Sequence, residues 1–186
     1  MIGVGYIENN KWNYKVFTSS ETTLNEEYKL FVDFTEFITN KSLQLDPSRI
    51  YIPRLFHWSQ AEVTNFEHVN ERYNGLWSNW GCSILWVDMY NVFVSEPIVI
   101  KGALSFKLKE IGKAMYDLNL ISTLWNDIGP SDGLSAMISA IDYYKNKKNN
   151  TLDSKLKNIY NLIVDYNEID CKVIWEIVTY LRNHRT

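Results

Sequence analysis

Several common features are scarce or missing in this chain of 186 residues, and each absence excludes a class of protein. No apolar run is long enough to cross a membrane, and the first residues do not have the form of a signal peptide. The two cysteines, Cys82 and Cys171, lie far apart and in no metal-binding spacing, which indicates a reducing compartment such as the cytoplasm. Neither a glycine-rich phosphate loop nor a Gly-x-Ser-x-Gly turn occurs.

An excess of positive charge is also missing. The formal net charge is −3 and the isoelectric point is about 5.6, which argues against a protein that coats long stretches of DNA. The same charge does not exclude an enzyme that holds a short strand end through metal ions.

The residues that are present predict a folded globular protein. Hydrophobic residues make up 46% of the chain and aromatic residues 15%, so the chain can bury a core. We find no repeat and no linker rich in proline or glycine, so we expect a single domain over residues 1–186. Strands lead the first part and helices the second, a pattern typical of an α/β or α+β fold with a mixed sheet.

The expected elements follow from hydrophobic periodicity and from turn residues. Two apolar segments on either side of a polar turn at residues 8–11 predict a hairpin. The other main expectations are a strand over 49–56, a helix over 57–73, a strand over 84–88, a helix over 105–115, a polar loop over 145–150 and a final helix over 154–182, either continuous or broken near Asp165.

The final helix carries a candidate site at Tyr166 and Asp170. Both residues fall on the stripe of apolar positions that we expect to face the interior. A buried carboxylate is costly unless something compensates its charge, and a metal ion would do so, with Tyr166 one turn earlier placed to hold a water. Two alternatives are a buried aspartate bonded to a backbone amide, and a helix end that turns Asp170 outward.

Two more acids lie where strands are expected to end. Glu62 follows a predicted strand and Asp88 closes another, and ligands of α/β sheets gather at such ends. Carboxylates from separate segments are what Mg²⁺ requires for phosphodiester hydrolysis. The alternatives are a solvated Glu62 on a helix surface and an Asp88 that caps the next turn. His57 is either a base or ligand, or a partly buried hydrogen-bonding residue.

Taken together, these segments resemble a family, the predicted ribonuclease-H-like exonucleases of YprB type within the DEDDy 3′→5′ exonuclease superfamily. The segment 166–171 and the apolar helix after it are similar to the family's closing motif, and 56–62 is similar to its second motif. Asp88 matches a recurrent strand-end aspartate, 105–111 the helix that follows it, and 132–136 the helix start before the last motif. Their order and spacing carry the resemblance.

The resemblance implies a ribonuclease-H-like mixed sheet flanked by helices, with a site for Mg²⁺ or Mn²⁺. Such an enzyme removes nucleotides from the 3′ end of DNA or RNA, and single-stranded nucleic acid is the expected partner. Tyr166 would orient the attacking water, while Glu62, Asp170 and Asp88 would bind metal.

One motif of the family is not found. Its Asp-x-Glu on the opening strand has no counterpart here, because the first residues resemble the following strand, and Asp33 and Glu36 have the wrong spacing on a predicted helix. The first strand of the sheet would then be missing, and an upstream segment or a partner chain would have to supply it. We therefore expect an exonuclease domain that is incomplete or inactive as this chain. The alternatives are a catalytically dead module that binds nucleic acid or protein, and an unrelated α/β domain in which Tyr166 and Asp170 are structural.

Overall fold

The computed structural model describes residues 1–126, 133–149, 151 and 153–184, and no side chain at 133 or 134. Within these residues the fold is mixed α/β, with seven helices and four strands. In chain order they are β1 (Ile2–Glu8), β2 (Lys11–Phe17), α1 (Leu24–Leu45), β3 (Arg54–His57), α2 (Ala61–Arg72), α3 (Ser78–Cys82), β4 (Leu85–Asp88), α4 (Met89–Ser95), α5 (Leu108–Asp117), α6 (Gly133–Lys148) and α7 (Ser154–His184). The resemblance at 132–136 lies partly outside the described residues.

The strands form two separate pairs. β1 and β2 are an antiparallel hairpin, and β3 and β4 are parallel, with His57 opposite Asp88. The hairpin turn is formed by Asn9 and Asn10, both in the left-handed region at φ 52° and 59°, where asparagine is tolerated better than most residues. The predicted hairpin is therefore confirmed.

The chain divides into two compact units. The first unit consists of Met1–Glu36 and Thr123–Lys172, and the second of Phe37–Ser122 and Val173–Thr186. In the first, Phe17 packs edge-on against the ring of Phe34 on α1. The second contains the largest fully buried side chains of the described residues, which are Phe93, Ile111, Met115, Ile177 and Val173.

Several predicted boundaries are wrong for local reasons. The strand expected over 49–56 begins only at Arg54, because Pro53 before it has no N–H to donate to a ladder. The helix expected from residue 57 begins at Ala61, since His57 still belongs to β3. The polar loop expected over 145–150 is helical as far as Lys148, and the final helix runs unbroken through Asp165.

Candidate functional site

Asp88 lies at the carboxyl end of the parallel strands. It is the N-cap of α4, and its Oδ1 accepts hydrogen bonds from the backbone N–H groups of Tyr90 at 2.9 Å and Asn91 at 3.4 Å. The same oxygen accepts a hydrogen bond of 2.8 Å from the N–H of Ser59, in the turn after β3. Oδ2 of Asp88 is buried and has no hydrogen-bond partner within the described part of the chain. A buried oxygen without a partner can still accept a hydrogen bond from one more donor or bind a cation.

Ser59 forms the sharp turn between β3 and α2. Its φ of 72° is left-handed, which is uncommon for a residue with a side chain and is found at functional sites when the surroundings hold it. Both backbone groups of Ser59 are held, its N–H by Asp88 and its carbonyl oxygen by Nδ1 of His57 at 2.6 Å. Because a carbonyl oxygen only accepts, Nδ1 of His57 must carry the hydrogen.

Glu62 joins this cluster through His57. Its Oε2 lies 3.7 Å from Nδ1 of His57, and the Glu62 side chain is 51% exposed, whereas His57 is buried. Burial lowers the pKa of His57, but the Glu62 carboxylate, the Ser59 carbonyl and the charge of Asp88 together raise it by more, so the pKa lies above its ordinary value of 6.5. The structure thus places Glu62 beside His57, and it places Asp88 opposite His57 in the paired strands.

Tyr166 and Asp170 belong to the first unit and lie on α7, both half-buried. Oδ1 of Asp170 accepts a hydrogen bond of 2.7 Å from Nε1 of Trp125. An N–H bonded to a carboxylate is a strong, charge-assisted contact. The charge of Asp170 is therefore partly compensated by an indole N–H. One alternative, a helix end near Tyr166, is wrong.

Two residues between Tyr166 and Asp170 accept hydrogen bonds from side chains of the β1–β2 hairpin. Tyr14 donates a hydrogen bond of 2.8 Å from its hydroxyl to Oδ1 of Asn167, and Trp12 donates one of 3.1 Å from Nε1 to Glu168. Burial, followed by the charges that Cys171, Glu168 and Asp170 carry when ionised, raises the pKa of Tyr14 well above its usual range. The hydroxyl of Tyr14 therefore stays protonated and remains a donor.

Gly3 fits this arrangement because it has no side chain. A Cβ at Gly3 would overlap Oδ1 of Asn167 and would lie 2.7 Å from the hydroxyl of Tyr14. Close approach of β1 to α7 thus requires glycine at this position.

The described residues do not fit a metal centre by themselves. No group of three or more His, Cys, Asp or Glu side chains in the described ranges could hold a metal ion. Asp88 and Asp170 each use Oδ1 to accept N–H donors. Oδ2 of Asp88 and the exposed carboxylate of Glu62 offer oxygen toward a cation, and these two groups are fewer ligands than Mg²⁺ requires from a protein and its substrate.

Sequence reasoning missed several residues of these two clusters. Trp12 and Tyr14 alternate along β2, so their shared face was predictable, but not what it contacts. Trp125 is separated from Asp170 by 45 positions, and no local pattern connects them. Ser59 gave no signal, because a left-handed serine has no sequence signature.

Comparisons with family models, with curated proteins and with solved structures found no match to this chain. Among the described residues, no helix is both long and apolar enough to span a membrane.

Proposed function

We propose that this chain is part of a metal-dependent 3′→5′ exonuclease of ribonuclease-H-like fold and that it does not cleave nucleic acid on its own. The observation that carries the proposal is that His57, 3.7 Å from Glu62, lies opposite Asp88 at the carboxyl ends of two parallel strands. Hydrolysis by two divalent ions requires carboxylates from several segments in such a position.

Two features support the proposal that the chain does not cleave nucleic acid on its own. The described carboxylates are too few for a metal centre, so further ligands have to come from elsewhere, such as an upstream segment or a partner chain. Asp170, which the resemblance assigns to metal, is already bonded to Trp125.

The test compares the native protein with the 186-residue chain. Intact mass and the encoded upstream sequence show whether the native protein exceeds 21.9 kDa and carries an Asp-x-Glu motif. Both proteins are then incubated with 5′-labelled single-stranded DNA and RNA in Mn²⁺, and products are resolved on a denaturing gel. We expect shortening only by the longer protein, and its loss in Glu62→Gln and Asp170→Asn. The matched control is Asp165→Asn, which changes an exposed carboxylate on α7, the helix that carries Asp170.

Cleavage by the 186-residue chain alone, or no cleavage by a longer protein that carries the motif, would contradict the proposal. A native protein without such a motif would favour a second candidate, a catalytically dead module that binds nucleic acid or protein. The hydrogen bonds to Asp88 and Asp170 favour this candidate, because both carboxylates have a role without metal. This candidate predicts that the chain binds single-stranded nucleic acid in EDTA and that the Asp170→Asn variant still binds it.

A further inference from the structure

Helix α6 and the start of α7 lie in the first unit and form a hairpin whose register is fixed by tyrosines. The ring of Tyr143 stacks on that of Tyr160, with centroids 4.1 Å apart and planes 19° from parallel. The hydroxyl of Tyr144 lies 3.2 Å from that of Tyr160 and donates a hydrogen bond to the carbonyl oxygen of Ser19. With Tyr143 opposite Tyr160, the end of α6 lies beside the start of α7.

That end of the hairpin concentrates positive charge in a chain whose net charge is negative. We name it the lysine tip, and its exposed members are Lys145, Lys147, Lys148, Lys155 and Lys157. The only acids within residues 142–157 are Asp142 and Asp153. Oδ1 of Asp153 accepts a hydrogen bond from the backbone N–H of Leu156 at 2.7 Å, so this acid is engaged with the first turn of α7.

Helix stability does not account for the whole cluster. Lysines in the last turn of α6 are favourable, because they complement the partial negative charge of a helix C-terminus. Lys155 and Lys157 follow the N-terminus of α7, where positive charge is unfavourable and no acid occurs in the first turn. An anionic partner would relieve this cost.

We propose that the lysine tip binds the phosphates of single-stranded nucleic acid. The inference deepens the proposed function, on which it rests, by locating where the strand is held. A nucleic acid fits better than a membrane surface, because the sequence between the lysines is mainly polar, with Asn146, Asn149, Thr151 and Ser154 against two leucines at 152 and 156. Membrane-binding helices instead require apolar residues on the inserted face.

The test measures binding of a fluorescent single-stranded DNA by anisotropy in EDTA, over a range of salt concentrations. The tip variant carries Lys147→Gln, Lys148→Gln and Lys155→Gln. The control variant changes net charge equally through Lys11→Gln, Lys101→Gln and Lys107→Gln, which are exposed lysines elsewhere. Each lost phosphate contact reduces the slope of log K against log salt by about 0.7 for single strands. We therefore expect the tip variant to lower the slope by roughly 2 and affinity by on the order of tenfold, against little change in the control.

Equal affinity and slope in the two variants would overturn the proposal that the lysine tip binds nucleic acid, and would leave the proposed function unaffected. If the wild-type chain binds neither single-stranded DNA nor RNA, the proposal for the lysine tip is wrong, and the result also counts against the proposed function. Parallel titration with phosphatidylserine–phosphatidylcholine vesicles tests the other anionic surface. A tip-dependent affinity for vesicles without one for nucleic acid would also reject the proposal.

Discussion

Asp88 in the second unit and Asp170 in the first are the same residue type, yet they are held in different ways. Oδ1 of Asp88 accepts hydrogen bonds from backbone N–H groups in the turn after β3 and in the first turn of α4, whereas Oδ1 of Asp170 accepts from the side chain of Trp125. Backbone donors cannot leave without disturbing strands and helices, but a half-buried indole can turn toward water. We therefore expect Asp88 to contribute more to the stability of the fold than Asp170 does.

The largest expected effect is at Asp88. Replacing it with alanine removes the cap of α4 and the acceptor for Ser59, and we expect a loss of about 2–3 kcal/mol in the free energy of unfolding. Urea unfolding of Asp88→Ala beside Asp88→Asn measures it, because asparagine also caps helices well and keeps an acceptor. If the two variants are equally stable, the backbone-held description of Asp88 is wrong.

Gly3 provides the next largest effect, in the first unit. Gly3→Ala forces Asn167 away from its bond with Tyr14, and overpacking of this kind costs about 1–3 kcal/mol. The comparison variant is the double change Gly3→Ala with Asn167→Ala, in which the overlap with Asn167 is gone. We expect the two substitutions to be strongly non-additive in thermal unfolding. Simple additivity would argue that β1 does not approach α7 at this point.

Trp125 and Asp170 give a smaller effect that isolates one hydrogen bond. We expect Trp125→Phe and Asp170→Ala each to cost about 1–2 kcal/mol, and the double variant no more than the worse single one. Asp170→Asn keeps an acceptor and should cost less than Asp170→Ala, while exposed Asp165→Asn should lie within about 0.5 kcal/mol of the wild type. A double-mutant cycle in urea checks the coupling, and independent costs would show that the contact contributes nothing.

The smallest effect is the pH dependence set by His57. Its pKa is raised in the folded chain above 6.5, so its stabilising contribution is complete below 6.5 and is lost as pH rises through the folded value. Because Glu62 is exposed and screened, we expect less than about 1 kcal/mol. Unfolding free energies measured from pH 5 to 9 should lose this slope in Glu62→Gln and keep it in the control His68→Gln. An unchanged slope in Glu62→Gln would show that Glu62 does not raise the pKa of His57.

The sequence predicted the elements whose signals are local. The β1–β2 hairpin, the stripe of α7 with buried Ile163 and Val173, and the strand that ends at Asp88 follow from periodicity and turn residues. One alternative for Asp88, a cap on the next turn, agrees with the structure. The short helices α3 and α4 were not predicted, because they are shorter than the window over which periodicity can be recognised.

The contacts that define the candidate site were beyond sequence reasoning for a physical reason. Tyr14 meets Asn167, and Trp125 meets Asp170, only after distant segments pack together. The start of α2 was misjudged because the left-handed turn at Ser59 depends on Asp88, a residue 29 positions away. Tertiary contacts, and not local preference, decide both.

In the described part of the chain, Asp88 and Asp170 are held by N–H donors, and the carboxylates do not form a metal centre by themselves. A metal that binds only the folded state raises stability in proportion to the logarithm of its concentration over its dissociation constant. The direct measurement is therefore the urea midpoint of the chain in EDTA and in Mn²⁺ at millimolar concentration. We predict identical midpoints. A Mn²⁺-dependent increase that disappears in Asp170→Ala and in Glu62→Gln, but not in Asp165→Asn, would contradict the account.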